Sequence, residues 1–178
     1  METRIIITGT PGTGKTSLIT ELSKRGFSTV AEPTRKVLKE QLEKNGPALP
    51  SKDPYLFVKT MLDFSLQEYQ RYADSLDMIF FDRGIPDLIA YAQRFGVDTE
   101  VFVRAATSYR YQNKVFILDP WEAIFVNDDE RRLSFDMALA FHDQIVSSYK
   151  LVNYELISVP KNSVEERADF VLSKTKKL

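Results

Sequence analysis

Nine consecutive residues near the N-terminus, Gly9-Thr10-Pro11-Gly12-Thr13-Gly14-Lys15-Thr16-Ser17, carry the spacing G-x-x-x-x-G-K-[ST]. The chemistry that needs this spacing is the wrapping of a polyphosphate. Backbone N–H groups must curl inward around it, and Gly9, Gly12 and Gly14 leave room for that curl. A helix starting near Lys15 aims its positive end at the same point. Lys15 then reaches the β- and γ-phosphates, and the Thr16 hydroxyl can ligate Mg²⁺.

Other residues could join that chemistry. Asp82 follows the apolar run Met78-Ile79-Phe80-Phe81. An acid ending a buried strand is the expected second Mg²⁺ anchor, with a helix-cap or turn role as the alternative. Arg83 beside it either faces the phosphate path or makes a structural salt bridge. Asp87 either meets a substrate hydroxyl or is a first-turn helix acid. Glu32 is held extended by Pro33, which places its carboxylate just past a strand end. Arg35 follows on the next helix. Arg131 and Arg132 lie in a polar segment at about 122–134, expected as a lid over the phosphates and otherwise a solvated charge run. His142, the single histidine, sits beside an apolar helix face and reads as packed rather than catalytic.

These side chains need a scaffold. Ile5-Ile6-Ile7 reads as a strand buried on both faces, over 3–8. A helix follows to Arg25-Gly26, then a short strand over 27–31 and a helix over 35–44. A long helix is expected over 54–73, its stripe formed by Tyr55, Val58, Leu62, Leu66, Tyr69 and Ala73. A strand over 78–81, helices to Phe95 and from Asp98 to Tyr109, and a strand over 114–118 come next. The helix 135–150 should bury Phe135, Ala138, Leu139, Phe141, Ile145 and Tyr149. A strand over 154–159 precedes Ser163-Val164-Glu165-Glu166, which has the form of a capping box.

Composition narrows the class. The chain has 178 residues, 43% hydrophobic and 28% charged, the balance of one globular domain over 1–178. Net charge is −1, so no basic field attracts nucleic acid. There are no cysteines, which excludes disulfides and thiolate chemistry. One histidine leaves little room for histidine metal sites or Ser-His-Asp hydrolysis. No apolar run reaches membrane-spanning length and no signal peptide is visible, so a cytoplasmic location is expected.

Strands and helices thus alternate behind a phosphate loop. That pattern resembles a P-loop NTPase of the kinase-like branch. Glu32-Pro33 is similar in position to the acidic residue of deoxynucleoside kinases, and Asp82-Arg83 to the Asp-Arg pair of thymidylate kinases. More closely, the chain resembles the small AAA-like single-domain ATPases that include the nicotinamide riboside kinase domain of bacterial NAD regulators. Asp82-Arg83-Gly84-Ile85-Pro86-Asp87, Phe116-Ile117-Leu118-Asp119-Pro120-Trp121 and Val159-Pro160 with Ser163 to Arg167 carry the likeness. It implies a three-layer α/β fold with a five-stranded parallel sheet of order 2-3-1-4-5 and helices on both faces. No base-reading N-K-x-D motif is present: Asn113-Lys114-Val115-Phe116 lacks the Asp.

Two functions fit. One is a Mg-ATP-dependent kinase (GTP being the alternative donor) acting on a nucleoside-like or other small-molecule acceptor. Lys15, Glu32, Asp82, Arg131 and Arg132 would then be catalytic. Glu32, Arg35, Arg83 and Asp87 would line the acceptor, and Thr16 and Asp82 would hold Mg²⁺. The other is an ATP- or GTP-binding switch or sensor without an acceptor. Acceptor identity and oligomeric state are not legible in the residues.

Overall fold

Alternating side chains on the three central strands commit both sheet faces to burial, and this decides the architecture. In a computed structural model, which describes residues 3–125 and 134–175, five parallel strands form one sheet. They are β1 (Arg4–Gly9), β2 (Ser28–Val30), β3 (Ile79–Asp82), β4 (Lys114–Leu118) and β5 (Glu155–Ser158). Their order is β2-β3-β1-β4-β5, as the family resemblance implies. Central β1 pairs with β3 so that Ile7 lies opposite Asp82, and with β4 so that Gly9 lies opposite Leu118. The end of β1 that launches the phosphate loop is therefore beside the end of β3 that carries Asp82.

The helices are α1 (Lys15–Lys24), α2 (Pro33–Glu43), α3 (Pro54–Arg71), α4 (Asp87–Arg94), α5 (Glu100–Ser108), α6 (Phe135–Leu151) and α7 (Val164–Thr175). A 3₁₀ turn spans Glu122–Ile124. Ile5, Ile7, Phe80 and Phe116 pack under Leu18, Leu22, Ala168 and Val171 of α1 and α7. Ile6, Ile79, Phe81 and Ile117 face the other layer, built from α3 to α6 with Val37 of α2. Crossovers between parallel strands carry these helices to both faces. Among the described residues no helix is long and apolar enough to cross a membrane.

Two helix faces differ from the periodicity-based expectation. On α3, Phe57, Val58, Met61 and Leu62 are buried, whereas Tyr55 is 47% exposed. That helix has apolar residues on two adjoining stripes, and the docking surface selects between them. On α6, Leu139 is 43% exposed, and Ser148 joins Ala138, Phe141, Ile145 and Tyr149 inside. The α7 capping box forms as the sequence suggests: Glu166 N–H donates to Ser163 Oγ at 3.2 Å, and Ser163 N–H to Glu166 Oε2 at 3.1 Å.

Candidate active site

The loop between β1 and α1 bends through Gly12 (φ 82°) and Gly14 (φ 80°), both in the left-handed region that side chains disfavour. Space is short as well. A Cβ on Gly12 would meet the Phe125 ring at 2.8 Å, and one on Gly14 would meet Arg167 Nη1 at 2.8 Å. Thr13 Oγ1 donates to Thr10 O at 2.8 Å and closes the turn. Lys15 starts α1, is 6% exposed, and its ammonium donates to Thr10 O at 3.1 Å. Burial, aided by the charge of Arg83, lowers its pKa from 10.5 to about 8, against the opposing pull of Asp82, Glu32 and Asp87. A compact cation, destabilised by burial but still mostly protonated at neutral pH, is thus held inside the loop. Thr16 and Ser17 follow, both exposed at the helix start.

Asp82 ends β3 and is 7% exposed, and its Oδ1 has no hydrogen-bond partner among the described residues. Burial raises its pKa, opposed by Lys15 and assisted by Glu32. A buried carboxylate oxygen without a donor suits an oxygen-seeking cation. Thr16 and Asp82 are too few to cage a metal by themselves, and no group of three or more His, Cys, Asp or Glu among the described residues would do so. Mg²⁺ commonly takes one or two protein oxygens plus phosphates and water, so these residues fit it as a nucleotide-bound ion.

Beside Asp82, Arg83 adopts φ 71° and its backbone N–H donates to Ile7 O at 3.0 Å. Its side chain turns inward: Nε donates to Glu32 Oε1 at 2.7 Å and Nη1 to Asp87 Oδ1 at 3.1 Å. Burial opposes the Arg83 charge, but Tyr91, Glu32, Asp87 and Asp82 outweigh it and hold the pKa above its ordinary value. Among the described residues the buried Nη2 group has no acceptor. Glu32 precedes α2 and also accepts from the Tyr91 hydroxyl at 3.2 Å. Asp87 is 0% exposed and lies beneath this surface. Its carboxylate also accepts from Thr8 Oγ1 (2.5 Å), Gly84 N–H (2.9 Å) and the Tyr149 hydroxyl (2.5 Å). A substrate hydroxyl would have to displace one of these donors.

Lys15, Glu32, Asp82 and Arg83 are therefore brought together at the carboxyl ends of β1, β2 and β3. Arg35 sits exposed on the first turn of α2. A cavity of about 20 Å³ indents the surface between Pro33, Phe64, Glu68, Asp82 and Arg83. Arg131 and Arg132 lie outside the described residues, as does most of the expected lid. Its described start, Glu122 to Phe125, runs over the phosphate loop, with Phe125 against Gly12 and edge-on to Phe135 at 5.4 Å. His142 is mostly buried beside Asp119, with Nε2 3.5 Å from Oδ1. Sequence reasoning left Thr8, Tyr91 and Phe125 without a role at the site, placed Tyr149 only on a buried helix face and named Arg167 only within the segment that carries the family likeness. Each reads locally as an ordinary strand, helix or loop residue, and no spacing rule singles it out.

A family model described as an AAA domain matches residues 4–167. None of the curated proteins compared matches the sequence significantly. Among solved structures, deoxyadenosine kinase from M. mycoides with products dCMP and a flexible dCDP bound is similar. Its TM-score is 0.67 at 18% identity, covering 98% of this chain and 100% of that one. The same enzyme with bound dATP gives 0.63 at 16%, covering 97% and 99%. NadR protein in complex with NR gives 0.71 at 13%, covering 99% of this chain but 50% of that one. At such identities the likeness shows the fold, a nucleoside-kinase-like P-loop α/β architecture.

Proposed function

This chain belongs to the AAA-domain family, and on that premise we propose that it is a Mg-ATP-dependent phosphotransferase acting on the hydroxyl of a nucleoside-like small molecule. We place it in the cytoplasm, working as a single domain. One observation carries the reading: a buried Lys15 and an Asp82 oxygen with no donor among the described residues share one site with a Glu32 carboxylate held by Arg83. The similar structures, a deoxyadenosine kinase and a protein holding NR, support an acceptor of that class.

The loop amides and Lys15 bind the β- and γ-phosphates and fix the γ-phosphorus relative to the acceptor. Thr16 and Asp82 would hold Mg²⁺, which would supply charge neutralisation for the transferred group. Glu32 accepts the proton of the acceptor hydroxyl. Arg83 and Tyr91 hold that carboxylate in place. Because Arg83 is committed to Glu32 and Asp87, a hydroxyl acceptor fits better than a phosphate that would need both arginines, Arg35 and Arg83, as a clamp. Arg131 and Arg132 are proposed to neutralise charge developing on the transferred group.

The test is ATP consumption across a panel of nucleosides, pyridine ribosides and nucleotides. Acceleration by a nucleoside or riboside, with stoichiometric formation of its 5′-monophosphate, is the expected result. Turnover that no acceptor raises above the background rate removes the kinase reading and leaves a nucleotide-hydrolysing switch.

A further inference from the structure

Arg167 arrives at the phosphate loop from the far end of the chain, on α7, and none of the roles above uses it. It is 5% exposed, and among the described residues it has no carboxylate within ion-pair reach. Burial pulls its pKa down, and Glu165 only partly restores it. A buried guanidinium without an acid is costly unless something else compensates. Its contacts are carbonyls: Nε donates to Ser163 O at 3.4 Å and Nη1 to Thr13 O at 3.4 Å. The same guanidinium fills the space where a Gly14 Cβ would stand.

The Thr13–Gly14 peptide is trans, so its C=O and N–H point in opposite directions. A donor pulling the Thr13 oxygen toward α7 turns the Gly14 N–H the other way, into the loop. We infer that Arg167 is a positioning residue for polyphosphate binding: it fixes the Thr13–Gly14 peptide so that the Gly14 N–H faces the phosphates. The α7 capping box supports it, because Ser163 anchors both the helix start and the Arg167 Nε. The cation also stands behind the loop, where its charge adds to the anion-attracting field. This inference rests on the phosphate-binding reading of the loop.

The experiment titrates wild type, Arg167→Met and Arg167→Lys with ATP, inorganic tripolyphosphate and adenosine by calorimetry. It also records the Thr13 carbonyl ¹³C resonance of each free protein. Arg167→Met should weaken ATP and tripolyphosphate by the same factor, about tenfold, leave adenosine unchanged, and move the Thr13 carbonyl upfield. Arg167→Lys, a point charge without the fork, should recover only part of the affinity, and it serves if the Met variant does not fold. Unchanged affinities overturn the inference. So does a loss for ATP that tripolyphosphate does not share, since Arg167 would then touch the nucleoside end. If wild type binds neither anion, the reading of the loop fails instead. The carbonyl resonance then still decides, an unmoved Thr13 signal overturning the positioning role.

Discussion

Arg83 Nε donates to Glu32 Oε1 at 2.7 Å, joining the end of β3 to the start of α2 across 51 residues of chain. Both side chains are under 10% exposed. The pair holds the Glu32 carboxylate in place while Asp87 holds the other side of the guanidinium. Glu32→Gln keeps a hydrogen-bond acceptor for Arg83 but removes the carboxylate we propose as the base. Phosphoryl transfer to a hydroxyl acceptor should fall about 10²- to 10⁴-fold, with the ATP dissociation constant nearly unchanged. Steady-state kinetics beside an ATP titration measures both, and a matching loss of ATP affinity would make Glu32 a structural or metal-binding group.

Lys15 stands in tension between function and stability. Lys15 is buried with no carboxylate in ion-pair contact among the described residues, and an apolar side chain of similar length removes the cost of burying its charge. Lys15→Met should therefore keep or raise Tm, while nucleotide affinity falls on the order of a hundredfold. Calorimetric melting and an ATP titration on the same sample test this. A sharply lowered Tm would show that the ammonium holds the loop together through Thr10.

The Lys15 pKa of about 8 gives a pH dependence with a definite sign. In the unfolded chain this amine titrates near 10.4. Between about 8 and 10.4 the unfolded state holds the proton and the folded state does not, so stability rises with pH through that window. Below pH 8 both states are protonated and the cost of burying the charge is present in full. Nucleotide phosphates restore the ammonium, so binding near pH 8.5 should take up a proton, and affinity should weaken as pH rises from 8 to 10. Binding enthalpies in two buffers of different ionisation enthalpy read the uptake directly. Zero uptake would mean that Lys15 does not meet the phosphates.

Asp87 gives the largest stability prediction. Four donors from β1, α6 and the β3–α4 turn converge on its two oxygens. Asp87→Asn presents an NH₂ to donors at one of those oxygens and leaves Arg83 short of charge. Breaking a buried pair in this way costs about 3–5 kcal/mol, which in a chain of this size lowers Tm by roughly 10 °C or more. A melt within a few degrees of wild type would show the network to be dispensable.

The sequence by itself determined the phosphate loop, because that chemistry is local. The spacing of Gly9, Gly14, Lys15 and Thr16 shapes one turn of backbone, and no distant residue is needed to recognise it. It also placed Asp82 at a strand end, since an apolar run stopping at an acid is visible in four residues. Only tertiary structure decided the partners. Glu32 with Arg83, Asp87 with Thr8 and Tyr149, and Arg167 with Thr13 are separated by 51, 79, 62 and 154 residues. No periodicity links such positions; packing both faces of one sheet does. The same holds for α3, where two apolar stripes compete and the surface beneath chose Phe57 and Met61 over Tyr55. Local spacing fixes how a backbone can bend, whereas burial against the rest of the chain fixes which charges must find one another.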